Sequence, residues 1–178
     1  MNTAAIPNMM EGEKSKSVLR VAAAAKTLGL DIQITRLPAS TRTAQEAAAA
    51  CGCAVAQIVK SLVFAGVEGE EIGLFLVSGA HPLSAVAAED VFGQRLKRAD
   101  ARTVREQTGF AIGGVAPIGH LSRLRVYFDA YLLDYDVVWA AAGAPNAVFS
   151  VNPRRLADAV GAVVHQLGQP GVAATSGG

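Results

Sequence analysis

Two apolar runs, residues 57–65 and 71–78, are joined by only Gly66-Val-Glu-Gly-Glu70. A connection that short permits an antiparallel hairpin and excludes a parallel crossover, which needs about a dozen residues or more. Further strand-like stretches follow at 95–99, 125–131, 135–141 and 147–151. An earlier one, 31–37, alternates Ile32 and Ile34 with Gln33 and Thr35 before Pro38 ends it. Helical signals lie between and around these strands. Val18, Ala22, Ala25 and Leu28 share a helix face over 17–28, with Gly29 placed to end it. Thr43-Ala-Gln-Glu46 is a capping box that opens a helix running to Cys51. Residues 84–92 read as a helix, and Asp100 caps another to Thr108. Asn152-Pro153 starts the last, with Leu156, Val160, Val163, Val164 and Leu167 along it. No strict strand–helix–strand rhythm is present. The expected class is α+β: a mixed, largely antiparallel central β-sheet with helices packed around it.

Composition narrows the possibilities further. The chain has 178 residues, 51% of them hydrophobic and 17% charged, which suits one globular domain and excludes a disordered chain. We expect a loose arm at 1–16, a domain over 17–168 and a disordered tail at 169–178. Mean hydropathy is +0.31. No uninterrupted apolar run reaches the roughly 18 residues of a membrane span. The N-terminus lacks the basic start and apolar core of a secretory signal. Cys51 and Cys53, one residue apart, suit a reducing cytoplasm and read as helix-end core residues. The net charge of +1 excludes a strongly basic coat protein. It hides an asymmetry, however. Arg95, Lys97, Arg98, Arg102, Arg105, Arg123 and Arg125 face only Asp100 and Glu106 within 95–125, a local excess of +5. That segment is either a solvated face or a contact surface for a polyanion.

Few residues carry chemistry. Alternation places Lys60 with Ile58, Leu62 and Phe64 on one face of an apolar strand. A lysine there either snorkels to water along apolar surface or aims its ammonium into a pocket that holds an anion. Gly113-Gly-Val-Ala-Pro-Ile-Gly-His120 clusters glycines around Pro117. It is either a structural loop or a set of backbone amides that polarise a carbonyl or cradle an anion. It lacks the Lys-Ser/Thr of a phosphate-binding loop. His120 by itself suits a structural hydrogen bond, and no histidine shows metal spacing. Asp129 is either solvated or an anchor for the glycine loop. Gly143-Ala-Pro-Asn146 reads as a tight turn between strands. No Gly-x-Ser-x-Gly motif or Ser/His/acid arrangement is evident.

Taken together, Gln57-Ile-Val-Lys60-Ser-Leu-Val-Phe64, the loop 113–120 and Ala142-Gly143-Ala-Pro-Asn146-Ala-Val-Phe149 resemble the YbaK-like aminoacyl-tRNA deacylase family. The same domain is inserted in bacterial prolyl-tRNA synthetases as an editing module. The resemblance runs from about Ser17 to Gly168. It implies a single-domain, trans-acting hydrolase that cleaves the ester between a wrong amino acid and the 3′-terminal ribose of a tRNA. The other reading is a non-catalytic tRNA or nucleic-acid binding module on the same fold. The resemblance makes Lys60 the central polar residue and turns the Gly113–Gly114 loop toward the ester. Val115, Ala116, Pro117, Gly119, His120, Ser78, Gly79, Asp129, Gly143 and Asn146 are expected around the substrate. The seven basic residues of 95–125 would meet the acceptor end. Departures from the family pattern fall at Ala80-His81-Pro82, Ala116 and Ala144 and bear on which amino acid is removed. No metal, organic cofactor, membrane or DNA partner is implied; a synthetase is a possible partner.

Overall fold

The structure, a computed structural model, describes residues 7–169, with side chains from Lys16 onward. The expected tail beyond Gln169 and the first six residues of the expected arm lie outside the described residues. In chain order the elements are α1 (Pro7–Thr27), β1 (Ile34–Arg36), α2 (Ala44–Cys51), β2 (Val59–Gly66), β3 (Ile72–Ser78), α3 (Ala85–Phe92) and β4 (Leu96–Arg98). They continue with α4 (Ala101–Thr108), β5 (Arg125–Asp129), β6 (Val138–Ala141), β7 (Ala147–Val151), α5 (Pro153–Val160) and β8 (Val163–His165). No described helix is long and apolar enough to cross a membrane.

The class is α+β, but the strands divide between two sheets. One has the order β1-β7-β6, and the other β4-β2-β3-β5-β8. The 57–78 hairpin forms as its short connection requires, with Lys60 opposite Val77 and Phe64 opposite Gly73. β3–β5 and β5–β8 are parallel, which the long connections between those strands permit. The sheets meet where Ile58 bridges Trp139. The main core lies between them and includes Val63, Leu74, Phe128, Ala140 and Phe149. A smaller cluster of Phe75, Phe92, Tyr127 and Leu167 covers the other face of the larger sheet.

Local signals hold at several helix ends. The Thr43 hydroxyl accepts the Glu46 amide at 3.1 Å. The Asp100 carboxylate accepts the Thr103 amide at 2.8 Å, and Asn152 Oδ1 accepts the Arg155 amide at 3.1 Å. Two helix expectations fail. The first helix begins at Pro7 rather than Ser17, and its buried face is Val21 and Ala25, while Ala22 and Leu28 are exposed. The last helix stops at Gly161, whose φ of 61° gives a left-handed cap. Val163 and Val164 then form an exposed edge strand beside β5 instead of a helix face. Apolar residues at helical spacing also fit a short helix, a turn and a strand, and Gly161 supplies the break.

Candidate functional site

A groove of ≈ 710 Å³ runs along the open edge of β2. Its walls include Lys60, Ser61, Leu62 and Phe64 of β2, Thr43 and Ala44 at the start of α2, Gly79, Arg98 of β4, and Gly113 and Val115. A smaller cavity of ≈ 100 Å³ adjoins it beside Ser61, Arg98, Val104 and Gly113.

Lys60 is half-buried, and its Nζ donates to the His81 carbonyl at 2.6 Å. Desolvation holds its pKa below the usual lysine value, while the negative charge of Asp129 opposes that shift. One ammonium hydrogen is thus fixed, and the other two are free for a ligand in the groove. The His81 carbonyl is placed by a tight turn after β3, where the His81 amide donates to the Ser78 carbonyl at 3.2 Å. Asp129 secures that turn. Fully buried, it accepts from the Ser78 amide at 3.1 Å, the Tyr131 amide at 3.3 Å and the Leu167 amide at 3.2 Å. Asp129 is therefore neither solvated nor the anchor of the glycine loop; it anchors the Ser78–His81 turn beneath Lys60. Gly79 in that turn has no room for a side chain, since a Cβ would lie 2.6 Å from the Val55 carbonyl oxygen.

The glycine loop splits into an exposed tip and a buried base. Gly113, with φ 90°, is exposed and lines the groove. The Gly114 amide donates to the Ala111 carbonyl at 3.0 Å, so it is not available to a substrate. Gly114 is also pressed on the turn after β6: a Cβ would sit 3.0 Å from the Ala144 backbone. Val115 reaches the groove, whereas Ala116, Pro117 and Ile118 are buried and outside its walls. His120 Nε2 lies 2.7 Å from the Ala116 carbonyl. A carbonyl only accepts, so Nε2 carries the hydrogen and His120 closes the loop on itself. Burial lowers its pKa, the hydrogen bond to Ala116 raises it, and the charge of Arg20 lowers it further.

Arg20 of α1 was not signalled by the sequence. It donates from Nε to the Gly119 carbonyl at 2.8 Å and from Nη2 to the Gly109 carbonyl at 2.9 Å, pinning both ends of the loop. Its guanidinium also lies 4.5 Å from the Phe110 ring centroid. Nothing local marks an arginine on a surface helix as the clamp for a loop some 90 residues on. The expected substrate residues Gly143 and Asn146 lie outside the groove walls and make packing and backbone contacts. A Cβ on Gly143 would meet the Ser17 carbonyl oxygen at 2.8 Å. The Asn146 carbonyl accepts the Leu37 amide at 2.6 Å, tying the turn to the end of β1.

The basic segment does not form one face. Strand alternation puts Arg98 with Leu96 at the groove, and Lys97 points to the opposite side. Arg102 pairs with Glu106 at 2.8 Å and Arg125 with Glu71 at 3.9 Å. Arg95, Arg105 and Arg123 are exposed outside the groove walls. Cys51 and Cys53 are half-exposed rather than core residues, and burial raises both thiol pKa values.

Residues 38–159 match the model of the aminoacyl-tRNA editing domain family. A solved protein described as a candidate trans-editing enzyme for prolyl tRNA synthetase is 49% identical, with a TM-score of 0.81 over 86% of this chain and 97% of that one. A scaffold protein from epitope-grafting work is 46% identical, with a TM-score of 0.82 over 87% of this chain and 99% of its own. The uncharacterised YwhH of Bacillus subtilis (strain 168) is 31% identical over 125 residues, 70% of this chain and 79% of that protein.

Proposed function

Because the chain belongs to the aminoacyl-tRNA editing domain family, we propose that it hydrolyses the ester joining a wrong amino acid to the 3′-terminal ribose of a tRNA. The observation that carries this reading is the Lys60 ammonium, fixed by the His81 carbonyl at the wall of a groove that Gly113 also lines. Its acting in trans is supported by the likeness to the candidate trans-editing enzyme, which it covers almost end to end.

The chemistry suits these residue types. An aminoacyl ester is already reactive, so positioning and charge stabilisation suffice without a protein nucleophile. Lys60 holds the phosphate or the ester end of the terminal nucleotide. The Gly113 amide polarises the ester carbonyl, and a groove water attacks it. The bond to the ribose oxygen breaks, and that oxygen takes a proton from the attacking water. Arg98, on the same groove, meets the phosphate backbone of the single-stranded 3′ end.

The test is deacylation of tRNAs charged with Ala, Cys, Ser, Thr and Pro, by the wild type beside Lys60→Ala. Selective release that depends on Lys60 is expected. Absence of release from all five, with tRNA still bound, would replace this reading with that of a non-catalytic binding module.

A further inference from the structure

We infer that the part of the groove between β2 and α3 binds the terminal adenine of the tRNA, with Glu89 accepting a hydrogen bond from its exocyclic amine. This inference rests on the deacylase reading and adds the part of the site that recognises the base beside the scissile ester.

The argument starts from one face of β2. Alternation sends the side chains of Lys60, Leu62 and Phe64 to the same side of the sheet. There Leu62, Phe64, Leu83 and Leu96 are half-buried, packed on the smaller core cluster, and all four line the groove with Ala88 of α3. The strand register carries this face onto β4, with Arg98 opposite Phe64 and Leu96 opposite Gly66. Phe64 is held against the buried Phe75 ring, nearly perpendicular to it at 89° with the centroids 5.6 Å apart. The trough is therefore apolar and stiff, and it is continuous with the site of Lys60. Phe64 lies about 13 Å from Lys60 along the strand, four residues at about 3.3 Å each. That is about the reach of one nucleotide from its phosphate to the far edge of its base.

Glu89 of α3 gives the trough its polar end. Among the described residues of the groove walls, Arg42, Lys60 and Arg98 are cations and Glu89 is the sole carboxylate. Its Oε1 accepts the Leu96 amide at 3.1 Å, which fixes the side chain. A carboxylate has about four acceptor sites and no donor, so that single bond leaves it able to accept more. A carboxylate also repels phosphate. A strand that gives its phosphates to Lys60 and Arg98 must present something else to Glu89. The complement of an apolar trough ending in an acceptor is a flat ring with a donor on its edge. A nucleobase stacks on aromatic and apolar surface, and adenine carries an exocyclic amine. The adenine on the ester-bearing ribose is the base nearest the groove. Hypoxanthine in its place would turn a carbonyl oxygen to the carboxylate, and unsubstituted purine would offer nothing.

The test uses tRNAs whose terminal adenosine is replaced by purine riboside, which lacks only the amine, or by inosine. Each is charged with Ala, Cys, Ser, Thr or Pro. For the amino acids that are released, purine riboside should lower kcat/KM by about 10- to 100-fold, the value of a hydrogen bond to a charged group. Inosine should lower it further. Glu89→Gln keeps an oxygen for the Leu96 amide and turns an NH2 group to the base. It should lose the preference for adenosine over purine riboside and gain rate on inosine, with a melting temperature near the wild-type value. A bond to Leu96 alone would leave the order of the three ends unchanged. Equal wild-type rates on adenosine and purine riboside would overturn the inference, whatever the stability of the variant. So would an unchanged order in Glu89→Gln, or a loss that follows replacement of the preceding cytidine by uridine and not replacement of the adenosine. Release of none of the five amino acids from natural tRNA would remove the deacylase reading. The affinities of the three uncharged tRNAs would then decide the trough separately, and equal affinities would overturn it.

Discussion

At Lys60 the local chemistry is a balance. The strand around it is apolar, so burial lowers its pKa, while Asp129 beneath the turn keeps a negative charge in range. A phosphate ligand requires the ammonium form. The alkaline limb of deacylation should therefore lie below the usual lysine range and disappear in Lys60→Ala; a pH–rate profile checks this. Lys60→Ala should lose deacylation by about 100-fold or more, as removal of one charge-stabilising donor does. Its melting temperature should stay near the wild-type value, because a buried charge is removed along with its single hydrogen bond. His120 has the opposite character. Its folded pKa lies below the unfolded one, chiefly through burial. The unfolded chain thus binds more protons as pH falls, so the stability His120 contributes is complete above about pH 6.5 and is lost below it. Thermal melts of wild type and His120→Gln across that window should converge toward acid.

Among the elements, the glycine loop depends on a helix remote in sequence. Arg20 of α1 makes both long-range hydrogen bonds at the ends of the loop. Arg20→Ala should cost about 1–2 kcal/mol and lower the melting temperature by several degrees. It should also weaken catalysis by misplacing Gly113, whereas Arg20→Lys, which cannot span both carbonyls, should rescue little. Gly114→Ala sets a Cβ against the Ala144 backbone, which cannot yield as a flexible side chain would. Differential scanning and single-turnover rates on these variants separate loop placement from groove chemistry. β4 shows the limit of reading charge along a chain. Arg95 to Arg98 are neighbours in sequence, yet alternation brings Arg98 alone of its cations to the groove.

For the whole molecule, polyanion binding should be carried by few contacts, because Arg102 and Arg125 already have acidic neighbours. The log-affinity for a single-stranded 3′ end should fall with log salt, and Arg98→Ala should flatten that slope by about 0.7, one phosphate's worth. Arg102→Ala should leave it unchanged. Filter binding across a salt series reads both. The sequence alone settled what depends on near neighbours: the hairpin enforced by the Gly66–Glu70 connection, the caps at Thr43, Asp100 and Asn152, and the three motifs that mark the family. These rest on bonds spanning a few residues or on spacing along the chain. Only the tertiary structure decided what depends on distant partners. It split the strands between two sheets, because the pairing of β1 with β7 and of β5 with β8 is not coded by any connection. It turned the end of the last helix into a strand, placed Asp129 under the Ser78 turn and neither in solvent nor at the glycine loop, and withdrew the Gly114 amide.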